Sequence, residues 1–254
     1  MVKLLIYCCK LVKGVSMMDR TVLSLPVPEQ ILPDTGNIQL NSMEEPLICI
    51  SESCRDVRDV EPKYLEQNIP GAIAEVYVRK TVADMLLKAT AMLPEGYQFK
   101  IYDAWRPAAV QKALFDEYYD RLSKEYEGTG KTEEQLKELT MRFVSFPSSD
   151  PAKPFVHSTG GAVDLTIADA EGRELDMGTG FDDFTDAAHT AYFEHAGSEK
   201  IRDNRRLLYN VMRAAGFTNY PSEWWHYDFG DRFWAAMNGR DSIYTGVYEN
   251  PRNN

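Results

Sequence analysis

Four histidines occur in the 254 residues, His157, His189, His195 and His226, and two of them stand beside acidic residues in segments that otherwise read as buried strands. A catalytic zinc takes three nitrogen or oxygen ligands from the protein and keeps a further position open for water. His157, Asp164 and His226 have that chemistry. The pair Gly160-Gly161 lets the chain turn between the first two, so that both can converge on one ion. Glu223, just upstream of His226, has the chemistry of a base that takes a proton from water acidified by the metal. Arg106 is suited to hydrogen-bond a substrate carbonyl and to hold the negative charge that develops on its oxygen. Singly, each of these also fits a hydrogen-bonded core histidine or a surface ion pair. The reading rests on their occurring together.

The elements that must position them follow from periodicity. In QFKIYDAWR, alternation predicts a strand with Phe99, Ile101, Asp103 and Trp105 on one side and Tyr102, Ala104 and Arg106 on the other, closed by Pro107. In AVDLTI, Val163, Leu165 and Ile167 form an apolar face and Asp164 points the other way. NYPSEWWHYDFG predicts a further strand. On a flat strand Glu223 and His226 have opposite parity, so Glu223 is expected in the turn opened by Pro221-Ser222, or else re-aimed by a bulge. Helices are predicted from Tyr77 onward (Val82, Met85, Leu86, Ala89, Leu93), after Pro107 (Ala113, Leu114, Tyr118), around Lys131 to Arg142, and through Ile201, Leu208, Val211, Met212 and Ala215 with Gly216 as cap. Ser145 to Pro154 reads as a loop. Strands and helices interspersed without a regular βαβ rhythm favour an α+β fold.

Composition bounds the function. A net charge of -11 argues against a nucleic-acid partner, which requires clustered Lys and Arg. The apolar run Leu4 to Cys9 is too short to span a membrane, so no span is expected. Cytoplasmic location is the expectation, with the periplasm or secretion following if that run acts as an export signal; Met17 or Met18 is an alternative start. Cys8, Cys9, Cys49 and Cys54 do not form a metal-type double pair, and no disulfide framework is expected. Pro26, Pro28, Pro33 and Pro46 bar a continuous helix, so residues 1–46 are expected as an extended or poorly ordered N-terminal extension, with the catalytic domain over 47–254.

The segment VHSTGGAVDLTI resembles the S-x-H-x-x-G-x-A-x-D motif of the zinc D-alanyl-D-alanine metallopeptidases, EWWHY resembles their E-x-x-H motif, and YDAWRP their arginine segment. The likeness is to the VanX-type D-alanyl-D-alanine dipeptidases and spans roughly Tyr64 to Gly230. It implies one zinc per chain held by His157, Asp164 and His226, with Glu223 as general base and Arg106 polarising the carbonyl. It further implies that Asp182, in GFDDF, receives the free amino group of a dipeptide and that Tyr64 lies near the site. The fold implied is a central antiparallel sheet flanked by helices, shared with D,D-carboxypeptidases and Hedgehog-type domains. The pattern departs at Phe155, where the family carries serine, and that position bears on recognition of the substrate's amino end.

The function expected is hydrolysis of D-Ala-D-Ala to two D-alanines, with a small dipeptide as the partner. A zinc D,D-carboxypeptidase acting on peptidoglycan stem peptides is the alternative, and a zinc-stabilised binding module without turnover the third reading.

Overall fold

The computed structural model describes residues 20–53, 59–151, 153–195 and 197–253. The apolar run at Leu4 to Cys9, the alternative starts Met17 and Met18, and Cys54 lie outside these residues. Helices are α1 (Arg20–Leu23), α2 (Ile50–Ser53), α3 (Lys63–Glu66), α4 (Lys80–Thr90), α5 (Ala108–Glu125), α6 (Glu133–Thr140), α7 (Glu199–Ala215) and α8 (Arg232–Asn238). Strands are β1 (Leu47–Cys49), β2 (Asp59–Val60), β3 (Tyr77–Arg79), β4 (Gln98–Asp103), β5 (Ala162–Ala168), β6 (Thr218–Asn219) and β7 (His226–Asp228).

Five strands form a sheet in the order β2-β4-β5-β7-β6. Its pairs are antiparallel except at the edge, where the two-residue β2 runs parallel to β4. β1 and β3 pair separately. One face of the sheet is apolar: Phe99, Ile101, Val163, Leu165, Ile167 and Tyr227 are each fully buried and pack with Val82 and Leu86 of α4 and Leu208, Val211 and Met212 of α7. This is the α+β arrangement expected, and the core helices follow the periodicity closely. α7 ends where Gly216 adopts a left-handed conformation (φ 113°), which glycine reaches without the Cβ penalty.

Three local expectations are corrected. The helical pattern read from Tyr77 begins as strand β3, and the helix starts only at Lys80. The segment after Gly216 is not one strand but a hairpin, β6 and β7 joined by residues 220–225. The third correction shapes the site. β4 stops at Asp103, and its register against β5 shifts between Ile101, opposite Leu165, and Asp103, opposite Asp164. Two β4 residues thus span one step of β5, a bulge that inverts facing. Asp103 therefore shares the face of Asp164 instead of the core face of Ile101, and Arg106 lies beyond the strand end.

Among the described residues of the N-terminal segment, α1 precedes the prolines and packs on α7, and Leu40 forms a parallel bridge with Ser242.

Candidate metal centre and active site

Strand register sets out the site. Asp164 lies opposite His226 across β5 and β7, and opposite Asp103 across β4 and β5, so three polar side chains form a row on the face away from the apolar core. His157 enters from a 3₁₀ turn, Val156–Thr159, closed by Gly160 in the left-handed region (φ 71°). A Cβ at Gly160 would meet the Leu47 side chain at 2.2 Å, so a larger residue must displace that methyl as well as hold a backbone conformation that disfavours it.

His157 Nε2 lies 3.3 Å from His226 Nδ1 and 3.3 Å from Asp164 Oδ2, while His226 Nδ1 lies 2.9 Å from Asp164 Oδ1. One ligand atom from each of the three residues falls within 4.8 Å of the others. Both rings have their second nitrogen engaged. His157 Nδ1 donates to the Ala104 carbonyl at 2.7 Å, and His226 Nε2 to Asp228 Oδ1 at 2.8 Å. Such outer bonds fix the tautomer and aim the remaining lone pairs inward, as at metal sites. Two imidazoles and a carboxylate converging in this way fit a zinc ion. Burial, with Arg106 nearby, holds His157 well below the ordinary histidine range. Burial also pulls His226 down, but Asp228 and Asp164 outweigh it and carry its pKa well above that range.

Glu223 sits in the β6–β7 turn, as parity requires, with its N–H donating to the Tyr220 carbonyl at 3.0 Å. Its Oε2 is 3.9 Å from His226 Nδ1, and burial pushes its carboxyl up to about 8. The Arg106 guanidinium is buried and held from several sides: Nε donates to Asp103 at 2.8 Å, Nη1 to Gln111 Oε1 at 2.7 Å, and Nη2 to Tyr64 Oη at 3.1 Å and to Asp164 Oδ2 at 3.4 Å. Burial disfavours its charge, but Tyr64, Asp103 and Asp164 more than compensate, so it stays protonated.

Residues 64–243 match the Peptidase_M15 family, described as D-ala-D-ala dipeptidase. The chain belongs to this family. It is 30% identical to a D-alanyl-D-alanine dipeptidase of Synechocystis over 57% of this chain, spanning 64% of that relative's length. It is 31% identical to one of Escherichia coli over 67% of this chain and 78% of that one. A crystal structure of the vancomycin resistance D,D-pentapeptidase VanY in complex with Zn(II) aligns over 83% of this chain and 94% of that one, at 17% identity and a TM-score of 0.39.

In this Peptidase_M15 chain the two residues carried over by resemblance alone also reach the cluster. Tyr64 packs against Arg106, whose guanidinium carbon is 4.8 Å from the ring centroid. Asp182 follows Phe181, whose ring packs on Tyr64 with centroids 5.7 Å apart, and burial, opposed by Arg106, raises its carboxyl to about 7. Its backbone is left-handed (φ 57°), a region that aspartate enters more readily than most non-glycine residues. Phe155, at the motif's serine position, is buried against Tyr248 with ring centroids 6.4 Å apart, and it lines the cleft. That cleft, about 1080 Å3, is lined by His157, Asp164, His226, Glu223, Arg106 and Asp182 together. His189 and His195 are elsewhere: the His189 carbonyl accepts from Arg205, and His195 meets Glu29 at the surface.

Sequence reasoning missed four residues that brace this site. Alternation places Asp103 on the wrong face, and Asp228, two residues from His226, belongs to no motif of its own. Buried Asn219 pins the turn, its Nδ2 donating to the Glu223 and His226 carbonyls at 3.0 and 3.1 Å. Buried Arg205 donates to the carbonyls of Met177, Ala187 and His189 at 2.8, 2.7 and 2.6 Å, which folds the loop that carries Asp182.

Proposed function

We propose that the chain hydrolyses the D-Ala-D-Ala dipeptide with one zinc ion held by His157, Asp164 and His226. The observation that carries the reading is the convergence of two inward-aimed histidine nitrogens and a carboxylate beside Glu223 and Arg106, in a chain of this family. When bound, zinc supplies a Lewis acid that polarises a peptide carbonyl and lowers the pKa of water.

The remaining steps belong to the side chains. Glu223 takes a proton as the water oxygen attacks the scissile carbonyl carbon. A carboxyl whose pKa lies near neutrality can then return that proton to the departing amine as the C–N bond breaks, leaving two D-alanines. Arg106 donates to the carbonyl oxygen as negative charge grows there. Because Asp103, Gln111 and Tyr64 already hold it in place, little reorganisation is needed during reaction. Asp182, which lines the cleft with Tyr64 and Arg106, receives the substrate's ammonium group. We assign residues 47–254 to the catalytic domain and place the protein in the cytoplasm, where free dipeptide is met. Among the described residues no helix is long and apolar enough to cross a membrane.

A second reading, a D,D-carboxypeptidase for stem peptides, draws support from the cleft, whose volume of about 1080 Å3 exceeds what a dipeptide fills, and from Phe155 in place of serine. Rates of amine release from D-Ala-D-Ala, L-Ala-L-Ala and a pentapeptide ending in D-Ala-D-Ala separate the two. The dipeptidase reading requires the first substrate to be strongly preferred. A faster pentapeptide overturns it in favour of the carboxypeptidase.

A further inference from the structure

One rim of the cleft is built from chain that precedes the family-matched residues 64–243. Leu32, Pro33, Thr35 and Gly36 line it. The segment that carries them is tied down on both sides. Upstream, the Val27 N–H donates to Glu194 at 2.9 Å and Asn210 Nδ2 to the Leu25 carbonyl at 2.9 Å. Downstream, the Asn41 and Met43 N–H groups donate to the Ser242 and Ile243 carbonyls at 2.8 and 2.9 Å, and the Glu45 carboxylate accepts from the Thr81 N–H and hydroxyl at 2.6 and 2.7 Å. In the middle, Arg232 Nη2 donates to the Thr35 and Gly36 carbonyls at 2.6 and 3.2 Å. That bond fastens the rim to the first residue of α8, just beyond the strand that carries His226. A loop held at three places is a wall of the cleft.

Sheet order indicates which end of a substrate meets this wall. Arg106 and Tyr64 attach to the β4 side of β5, and Phe181, next to Asp182, packs on Tyr64 with ring centroids 5.7 Å apart. Tyr220, Phe233 and the rim attach to the opposite side, past β7. A dipeptide whose ammonium lies at Asp182 and whose scissile carbonyl lies at the metal ligands extends its second residue toward the rim. We infer that Leu32 and Pro33, together with Phe233, form the subsite for the side chain of the carboxy-terminal residue and bound it on the side away from Arg106. Leu32 is 49% exposed, so a substrate seated there covers apolar surface that water otherwise wets. The subsite rests on the dipeptidase reading above.

The test measures kcat/KM of the zinc-loaded full chain and of Leu32→Ala on D-Ala-D-Ala, D-Ala-D-Phe and D-Phe-D-Ala. Opening the rim is expected to raise the D-Ala-D-Phe to D-Ala-D-Ala ratio by about tenfold, chiefly through KM, while the D-Phe-D-Ala to D-Ala-D-Ala ratio stays within about twofold. Arg232→Leu, which unfastens the rim without altering Leu32, is expected to shift the first ratio in the same direction. Thermal unfolding of each variant checks that it is folded. Hydrolysis with an unchanged carboxy-end ratio, or a shift confined to the amino-end ratio, overturns the subsite alone. Failure of the unaltered chain to hydrolyse any of the three overturns the dipeptidase reading, and the subsite's occupant with it.

Discussion

Asp164 and His226 face each other in register across β5 and β7, with Oδ1 of one 2.9 Å from Nδ1 of the other. Backbone pairing therefore sets the spacing of two ligand candidates, and a slip of one residue would turn either strand's polar row into the core. An ion bound to the native state alone also stabilises it, by about 4 kcal/mol at a thousandfold excess over Kd. Chelation is expected to lower Tm by about 10 °C for a domain of this size, and Asp164→Asn to show no further fall on chelation. Differential scanning calorimetry with and without chelator reads both. Identical melting of the unaltered protein under the two conditions contradicts a bound ion.

Asp228 accepts the Nε2 proton of His226 and so governs which nitrogen faces Asp164. Asp228→Asn is expected to weaken zinc binding by about 10- to 100-fold with the helical circular dichroism intact, as outer-shell substitutions do. Competition with a chromogenic chelator measures it, and an unchanged Kd removes Asp228 from this role.

Arg106→Lys keeps a positive charge but loses the fork that reaches Asp103, Gln111, Tyr64 and Asp164 together. The expected loss is about 100- to 1000-fold in kcat with zinc content retained, matching the removal of one donor from a developing oxyanion. A rise in KM with kcat unchanged would assign Arg106 to ground-state binding instead.

The core and much of the candidate site are legible in sequence, for reasons that also explain the gaps. Val163, Leu165 and Ile167 alternate, and Leu208, Val211, Met212 and Ala215 recur at helical spacing, because each element buries one continuous apolar face. The bulge at Ile101 to Asp103 leaves no mark on that alternation. Tyr102 suits either face of a strand, so Asp103 reads as sharing the face of Ile101 until its partner strand is known. NYPSEWWHYDFG reads as one strand because Trp224 and Trp225 suit a strand. Its turn is held by Asn219, whose amide bonds backbone that only the folded hairpin brings near. The proline-rich residues before Pro46 read as an extended or poorly ordered extension for a similar reason, since their anchors, Glu194, Asn210, Arg232 and Ser242, lie far along the chain.

One of those anchors carries a pH signature. Burial tends to raise the Glu194 carboxyl, but hydrogen bonds from Arg206 and the Val27 N–H, with the charge of Arg206, hold it below the ordinary range. A carboxyl depressed in the folded state contributes stability that is complete above its unfolded pKa, about 4.3, and is lost as pH falls through the lower folded value. Tm measured downward from pH 7 is expected to fall more steeply through the acid range in the unaltered protein than in Glu194→Gln. Parallel curves would show that this pair contributes nothing to the acid dependence.

The most direct test of the central claim is amine release from D-Ala-D-Ala by the purified protein before chelation, after chelation, and after zinc is restored, with Glu223→Ala assayed beside it. Turnover is expected to be abolished by chelation and restored by zinc, and the Glu223→Ala protein to bind zinc yet be slower by about 100- to 10,000-fold. Release that survives chelation, or near-normal turnover in Glu223→Ala, would contradict that claim.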